Sequence, residues 1–324
     1  MEQTTDQPIE LSSLSILDIR QAIDLLDMVP IGIEKADYRD VLDRIERSLA
    51  RDLTSDFAAA ARDGVKAGIK DMLGDAGTIN EDDVDTVMNA IDKEMAAFAK
   101  SPDLVKRVGR GASSAYKTSR KGFANEIGIG ADFNLVDKET QINLAKTQTW
   151  WVGNHYDQNL REDILETVDQ TLITEGLGRR EAGIALAGKL VKKLGVAANL
   201  PYFEGLAATV RGQAQSFASI ESMVQAKVQR YEIIAVMDAR TSDICRQLNG
   251  TIFEVPQGVA LRDQLNRTKT PLGVKRVMPW IKVPQFKSIT GDKTGDAKIQ
   301  ALVEHGLQLP PYHPHCRTVV EMVP

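Results

Sequence analysis

The sequence predicts a mainly α protein with a small C-terminal α+β domain: an elongated helical body followed by a short-stranded, loop-rich module. Three observations lead there. From about residue 12 to 230, apolar side chains recur at three- and four-residue steps between charged ones, which is the helical period. At Tyr231 that period gives way to short β-branched runs, the mark of strands. Between the second and third of these runs, prolines and glycines crowd the chain. A chain of 324 residues, 43% hydrophobic, has material for two or three domains with apolar cores. The expected divisions are an acidic helical region over 1–130, a central helical region over 131–230 and the α+β module over 231–324.

In the first helix, "LSILDIRQAIDLLDMV", the apolar stripe is Leu14, Leu17, Ala22, Leu25 and Leu26. "DYRDVLDRIERSLARDL" repeats it through Val41, Leu42, Ile45, Leu49 and Leu53. Thr78 and Glu81 have the spacing of a capping box ahead of the next helix. Ser101 and Pro102 suit the cap and first turn of another. "GIGADFN" (128–134) is the clearest break. Beyond it Tyr156, Leu160, Ile164, Val168 and Leu172 step by four, with Trp151, Leu165 and Ile173 beside them, as in one long amphipathic helix. The Trp150–Trp151 pair at its start serves either the core or a partner's surface. Gly176 and Gly178 end that helix; a shorter one covers "RREAGIALAGKLVKKLG", and Pro201 opens another long one. "YEIIAVMD", "GTIFEV" and "RTVVEMV" are the three expected strands. The insert before the last, with Pro271, Pro279, Pro284, Pro310 and Pro311, is expected to be loop.

No stretch approaches the roughly 20 apolar residues of a membrane helix. The polar, acidic start carries no secretory signal, and two cysteines do not make a disulfide scaffold, so a reducing cytosol is expected. Net charge is −5, but residues 1–100 hold 22 acidic and 11 basic side chains, so the basic surplus lies behind. "KRVGRGASSAYKTSRK" (106–121) has six basic residues, Lys106, Arg107, Arg110, Lys117, Arg120 and Lys121, and no acid. These either contact nucleic-acid phosphates or form a solvated helix face. The basic insert 267–298, with Trp280 and Phe286, is a candidate docking surface.

The reactive residues gather late. "LPPYHPHCRT" (309–318) holds two of the four histidines and one of the two cysteines. A proline between His313 and Cys316 favours a tight turn whose ends approach to within about 7 Å, so both side chains can reach one ion while His315 points away. Strand pairing would bring Cys245 to them. Two thiols and an imidazole suit zinc, with His305, Asp243 or water as a fourth ligand. The alternative is a packed Cys245 and a His313 that hydrogen-bonds backbone to hold the turn. Asp238 can pair with Arg240 and Arg317, and Thr241, Ser242 and Asp243 can cap a short helix that ends at Asn249–Gly250. The same grouping would also serve nucleophilic or phosphoryl chemistry, although the chain has no phosphate loop, nucleophile elbow or HExxH motif.

Two stretches taken together, Asp238, Arg240, Thr241, Ser242, Cys245, Leu248 and Gly250, then Pro310, Pro311, His313, Pro314, Cys316 and Arg317, resemble the phage head morphogenesis family, the minor head proteins like that of phage Mu gene F. The family often has asparagine where this chain has His315. The resemblance spans roughly 140–324. It implies a virion protein acting in capsid assembly at the portal vertex, built into the head from the host cytoplasm and present in few copies. Portal and capsid proteins would be its partners, with packaged double-stranded DNA a further contact. It implies no catalytic activity. A metal-dependent hydrolase built on Cys245, His313 and Cys316, and a DNA-binding ejection protein, are the alternatives.

Overall fold

The computed structural model describes residues 37–75, 77–268 and 270–323. The helix expected over 14–26, and Lys269 of the basic insert, lie outside these residues. The body begins with α1 (Tyr38–Gly74), capped by Asp37, whose carboxylate accepts from the Arg39 N–H at 3.0 Å. It buries Leu42, Leu49, Leu53, Phe57 and Val65 along one side. Then come α2 (Glu81–Ala99), α3 (Pro102–Glu126) and α4 (Leu135–Gly153). Two glycines let α1 and α2 approach closely: a Cβ on Gly64 or Gly68 would lie 2.9 Å from Ile91 Cα or 2.8 Å from Val87 Cα. Ser101 and Pro102 open α3 as expected. The capping box of α2 sits two residues later than expected, on Asn80 and Asp83 instead of Thr78 and Glu81.

The expected single helix after Trp151 is broken. It divides into the end of α4, α5 (His155–Asn159), α6 (Arg161–Asp169) and a π-helical turn, Gln170–Thr174. The Asn154 side chain bonds the Trp150 carbonyl at 2.9 Å, competing with the backbone where α4 stops. Tyr156, Ile164, Val168 and Leu172 are nonetheless buried, whereas Leu165 and Ile173 face outward. Next are α7 (Arg179–Leu194) and α8 (Val196–Gln225). Pro201 lies inside α8 instead of opening it; a proline early in a helix costs one backbone hydrogen bond near the end, where few are lost.

The module begins with β1 (Arg230–Ile234), followed by α9 (Asp243–Leu248) and β2 (Ile252–Glu254). β3 (Val319–Val323) completes a sheet in the order β2-β1-β3, antiparallel throughout, with Ile233 opposite Val320. The intervening segment is helical where loop was expected: α10 (Val255–Arg267), α11 (Pro271–Val277), α12 (Val283–Thr290) and α13 (Gly295–Glu304). Three of its prolines start helices instead of breaking them, whereas Pro279, Pro310 and Pro311 lie in loop as expected. Pro256, Pro271 and Pro284 sit in first turns, where the missing N–H has no helical partner to lose. One cluster of buried apolar side chains runs from Tyr38 to Val320. The protein is therefore mainly α with a small C-terminal α+β part.

Candidate metal centre

α9 positions the first sulfur. Ser242 caps it, its hydroxyl accepting from the Cys245 N–H at 3.2 Å, so Cys245 falls in the first turn with its side chain inward. The loop before it is held locally. Thr241 Oγ1 accepts from the Asp238 N–H (2.9 Å), and the Arg246 guanidinium donates to the carbonyls of Asp238 and Thr241. Gly250 takes φ +79°, and its N–H closes the turn onto the Ile233 carbonyl at 2.9 Å.

The tail supplies the other two groups. It lies along α8 over two glycines one heptad apart. A Cβ on Gly205 would meet His315 Nε2 at 3.2 Å, and one on Gly212 would meet Pro311 at 3.3 Å. His315 has φ +57° and faces α8, away from the sulfurs, as its place in the turn predicts. Cys316 follows, 6% exposed, and Tyr312 is 2% exposed beneath the turn.

Cys245 Sγ lies 3.2 Å from His313 Nε2 and 3.7 Å from Cys316 Sγ, and the three ligand atoms are all within 4.8 Å of one another. Bonds of about 2.3 Å to sulfur and 2.0 Å to nitrogen at tetrahedral angles require edges of roughly 3.8 Å between sulfurs and 3.6 Å from sulfur to nitrogen. The sulfur pair meets that edge, and the histidine needs to withdraw by a few tenths of an ångström. His313 Nδ1 bonds the Pro314 carbonyl at 2.7 Å, which assigns its proton to that nitrogen and leaves the Nε2 lone pair toward the thiols. This backbone contact, with Cys245 packed at 3% exposure, is what the alternative to metal binding expected; the same contact would also orient Nε2 toward an ion. Neither suggested fourth ligand joins the group: Asp243 is exposed, and His305 Nδ1 bonds the Ala301 carbonyl at 2.8 Å.

The site favours one thiolate. Cys316 is pushed well below a free thiol by the hydrogen bond from Cys245, then by His313, the Tyr312 N–H and Thr318. The same shared proton, together with burial, pushes Cys245 up. The Cys316 sulfur beside His313 raises the imidazole despite its burial.

A second tie joins the segments. Arg317 Nη2 donates to Asp238 Oδ1 at 2.6 Å, and this bond, with the Arg240 backbone N–H, holds the carboxyl far below the usual carboxylate range. The pair is half-exposed and contributes specificity more than stability. Arg240 shares the carboxylate as expected, through its backbone N–H at 2.8 Å and a long ion pair of 3.9 Å from an exposed side chain. Arg246, unremarked in the sequence, does the local bracing.

The candidate nucleic-acid residues do not form a surface. Arg120 is fully buried, bonding Asp137, Ser222, Gln225 and the Asp132 carbonyl, and Lys117 is 8% exposed. Arg107 is paired with Asp52 and Asp56, and Lys106 approaches Asp103. Arg110 is exposed and Lys121 half-buried. Of the six, Lys106, Arg107 and Arg110 stay on the accessible face of α3, and two of these are paired with acids. In the basic insert Phe286 is core while Trp280 is half-exposed. Trp151 is half-buried, with Lys275 4.5 Å over its ring. His155, which carries no motif, is buried: it stacks on Tyr202 at 3.6 Å and bonds Asn199 at 3.0 Å. Gly205 and Gly212 were legible only as glycines repeated on one face of a long helix.

Compared with family models, curated proteins and solved structures, the chain finds no match.

Proposed function

We infer that this chain is a minor head protein of a phage, a structural and interaction component acting in head morphogenesis at the portal vertex. A zinc ion on Cys245, His313 and Cys316 would close its C-terminal module. One observation carries the reading. The two stretches that bear the resemblance, with Cys245 and Cys316 71 residues apart, fold against each other at both expected contacts, sulfur to sulfur and Arg317 to Asp238. Two thiolates and an oriented imidazole form a soft donor set that favours zinc over hard cations. Water would complete four-coordination, and a bound ion would cross-link α9 to the tail through these three residues.

Purified heads test it. The chain is expected to co-fractionate with the portal and capsid proteins; its absence from heads that carry the portal overturns the reading. A hydrolase is the second reading, because three protein ligands with one open position is the arrangement of catalytic zinc. Ester or phosphate turnover by the zinc-loaded chain, lost in Cys316→Ala while head assembly persists, would select it instead.

A further inference from the structure

The two sulfurs of the metal centre carry a second chemistry. The chain has two cysteines, and folding brings them from 71 residues apart to 3.7 Å between their Sγ atoms. That is van der Waals contact, roughly 1.7 Å beyond the length of a disulfide bond. Each sulfur arrives there by its own device. The Ser242 cap sets Cys245 in the first turn of α9. Cys316 comes from the tail, between the buried Tyr312 and Thr318 and just ahead of β3. The pairing of β1 with β3 holds the two segments together. Rotation of the two side chains, each about its own Cα–Cβ bond, can share the remaining closure.

His313 stands beside the pair as a proton acceptor. Its Nε2 lies 3.2 Å from Cys245 Sγ and within 4.8 Å of Cys316 Sγ, while its Nδ1 is occupied by the Pro314 carbonyl. Cys245 and Cys316 are 3% and 6% exposed, under a turn whose own Pro314 and His315 are exposed. That cover is thin enough for hydrogen peroxide, a molecule little larger than water. A thiol that oxidises beside a second thiol condenses to a disulfide instead of climbing to the higher oxides.

We propose that Cys245 and Cys316 are a peroxide-sensitive pair that closes to a disulfide when no ion holds the two sulfurs. The pair rests on the same grouping of side chains as the zinc reading, but not on zinc being bound. The Cys316 sulfur, the more exposed of the two, passes its proton to His313 Nε2 and attacks one peroxide oxygen. The O–O bond breaks, and the leaving hydroxide takes that proton from His313 as water. Cys316 is now a sulfenic acid. The Cys245 sulfur attacks it, the S–O bond breaks, and the hydroxyl leaves with the Cys245 proton as a second water. Two thiols lose two electrons, and one peroxide is reduced to two waters.

The test uses the full chain, stripped of metal by a chelator and treated with hydrogen peroxide. Thiols are counted after denaturation, and the intact mass is measured. The count is expected to fall from two to none, with the mass lower by two hydrogens and both thiols restored by dithiothreitol. In Cys245→Ser the Cys316 sulfur lacks its partner and should gain oxygen instead. Oxidation of the parent should also raise its urea midpoint, because the bond closes a long loop in the unfolded chain. The proposal is overturned if both thiols survive, if the parent gains oxygen in place of losing hydrogen, or if the bond joins two chains on a non-reducing gel. A lowered midpoint overturns it too, since the segments would then be forced together. A chain that retains no zinc after dialysis yet forms the bond removes the zinc reading and supports this one. A chain that retains zinc but keeps both thiols when stripped and oxidised removes this one alone.

Discussion

Asp137→Ala takes away the carboxylate that faces Arg120 in the interior of the body. The guanidinium is fully buried, with Nε 3.1 Å from Asp137 Oδ1. At an effective dielectric near 20 that separation is worth about 5 kcal/mol of attraction. The expected loss is smaller than the bare attraction, because water or neighbours relax into the site. Ser222, Gln225 and the Asp132 carbonyl still hold Arg120, but they are neutral and leave its charge uncompensated. Breaking a buried pair from one side costs about 3–5 kcal/mol, much of a typical domain's net stability of roughly 5–15 kcal/mol. The same carboxylate accepts from Tyr116 and from the Asn134 N–H, so the variant also loses one half of the capping box of α4, while the Asn134 side chain keeps its bond to the N–H of residue 137. Urea unfolding followed by circular dichroism should show the midpoint falling with an unchanged slope. Arg120→Met in the Asp137→Ala background should recover part of the loss, since the stranded charge is then gone. A loss below about 1 kcal/mol, as for an exposed pair, would refute the burial of Arg120 and return that residue to the surface as a possible phosphate contact.

Other expectations follow from the same contacts. Cys245→Ser and Cys316→Ser should each lower zinc content from about one per chain toward none, measured by elemental analysis after dialysis, whereas His315→Ala should leave it unchanged. Burial pushes His155 down to about 4 from an ordinary value of 6.5. The unfolded chain therefore binds the proton more readily between those values. Stability should fall as pH drops from about 6.5 through about 4, by up to roughly 3 kcal/mol, and His155→Phe should flatten that slope in acid-unfolding titrations. Gly68→Ala sets a Cβ 2.8 Å from Val87 Cα, so α1 and α2 must part; a loss of about 1–3 kcal/mol is expected in thermal melts, whereas exposed Gly74→Ala should cost nothing.

The helices of the body and all three strands were legible because their apolar periods are strong. The tail turn was legible because His313, Pro314 and Cys316 stand at a spacing that chemistry restricts. What escaped had weaker or contrary local signals. Pro271 and Pro284 look like breakers until their place in a first turn is known. The stripe from Tyr156 to Leu172 is continuous in the sequence, and nothing in it marks the interruption at Leu160, although Gly153–Asn154 ahead of it is a helix-stop signal. Arg120 looks like a surface cation, because burial of a charge depends on Asp137 and Ser222, which the helix period cannot bring to it. At the metal centre Cys245, His313 and Cys316 were nameable, while Arg246, Gly205 and Gly212 act through contacts that only folding creates.

The pairing of β1 with β3 also sets a timetable. Ile233 and Val320 are neighbours in the sheet but are translated far apart, with the five helices α9 to α13 made between them among the described residues. Until the tail emerges, β1 has a partner on one flank only, and Cys245 waits without His313 or Cys316. Closing so long a loop is slow compared with forming the local helices. Ion capture, where it occurs, must then be among the last events in the chain's maturation, so a ribosome that stalls early releases a product unable to hold metal.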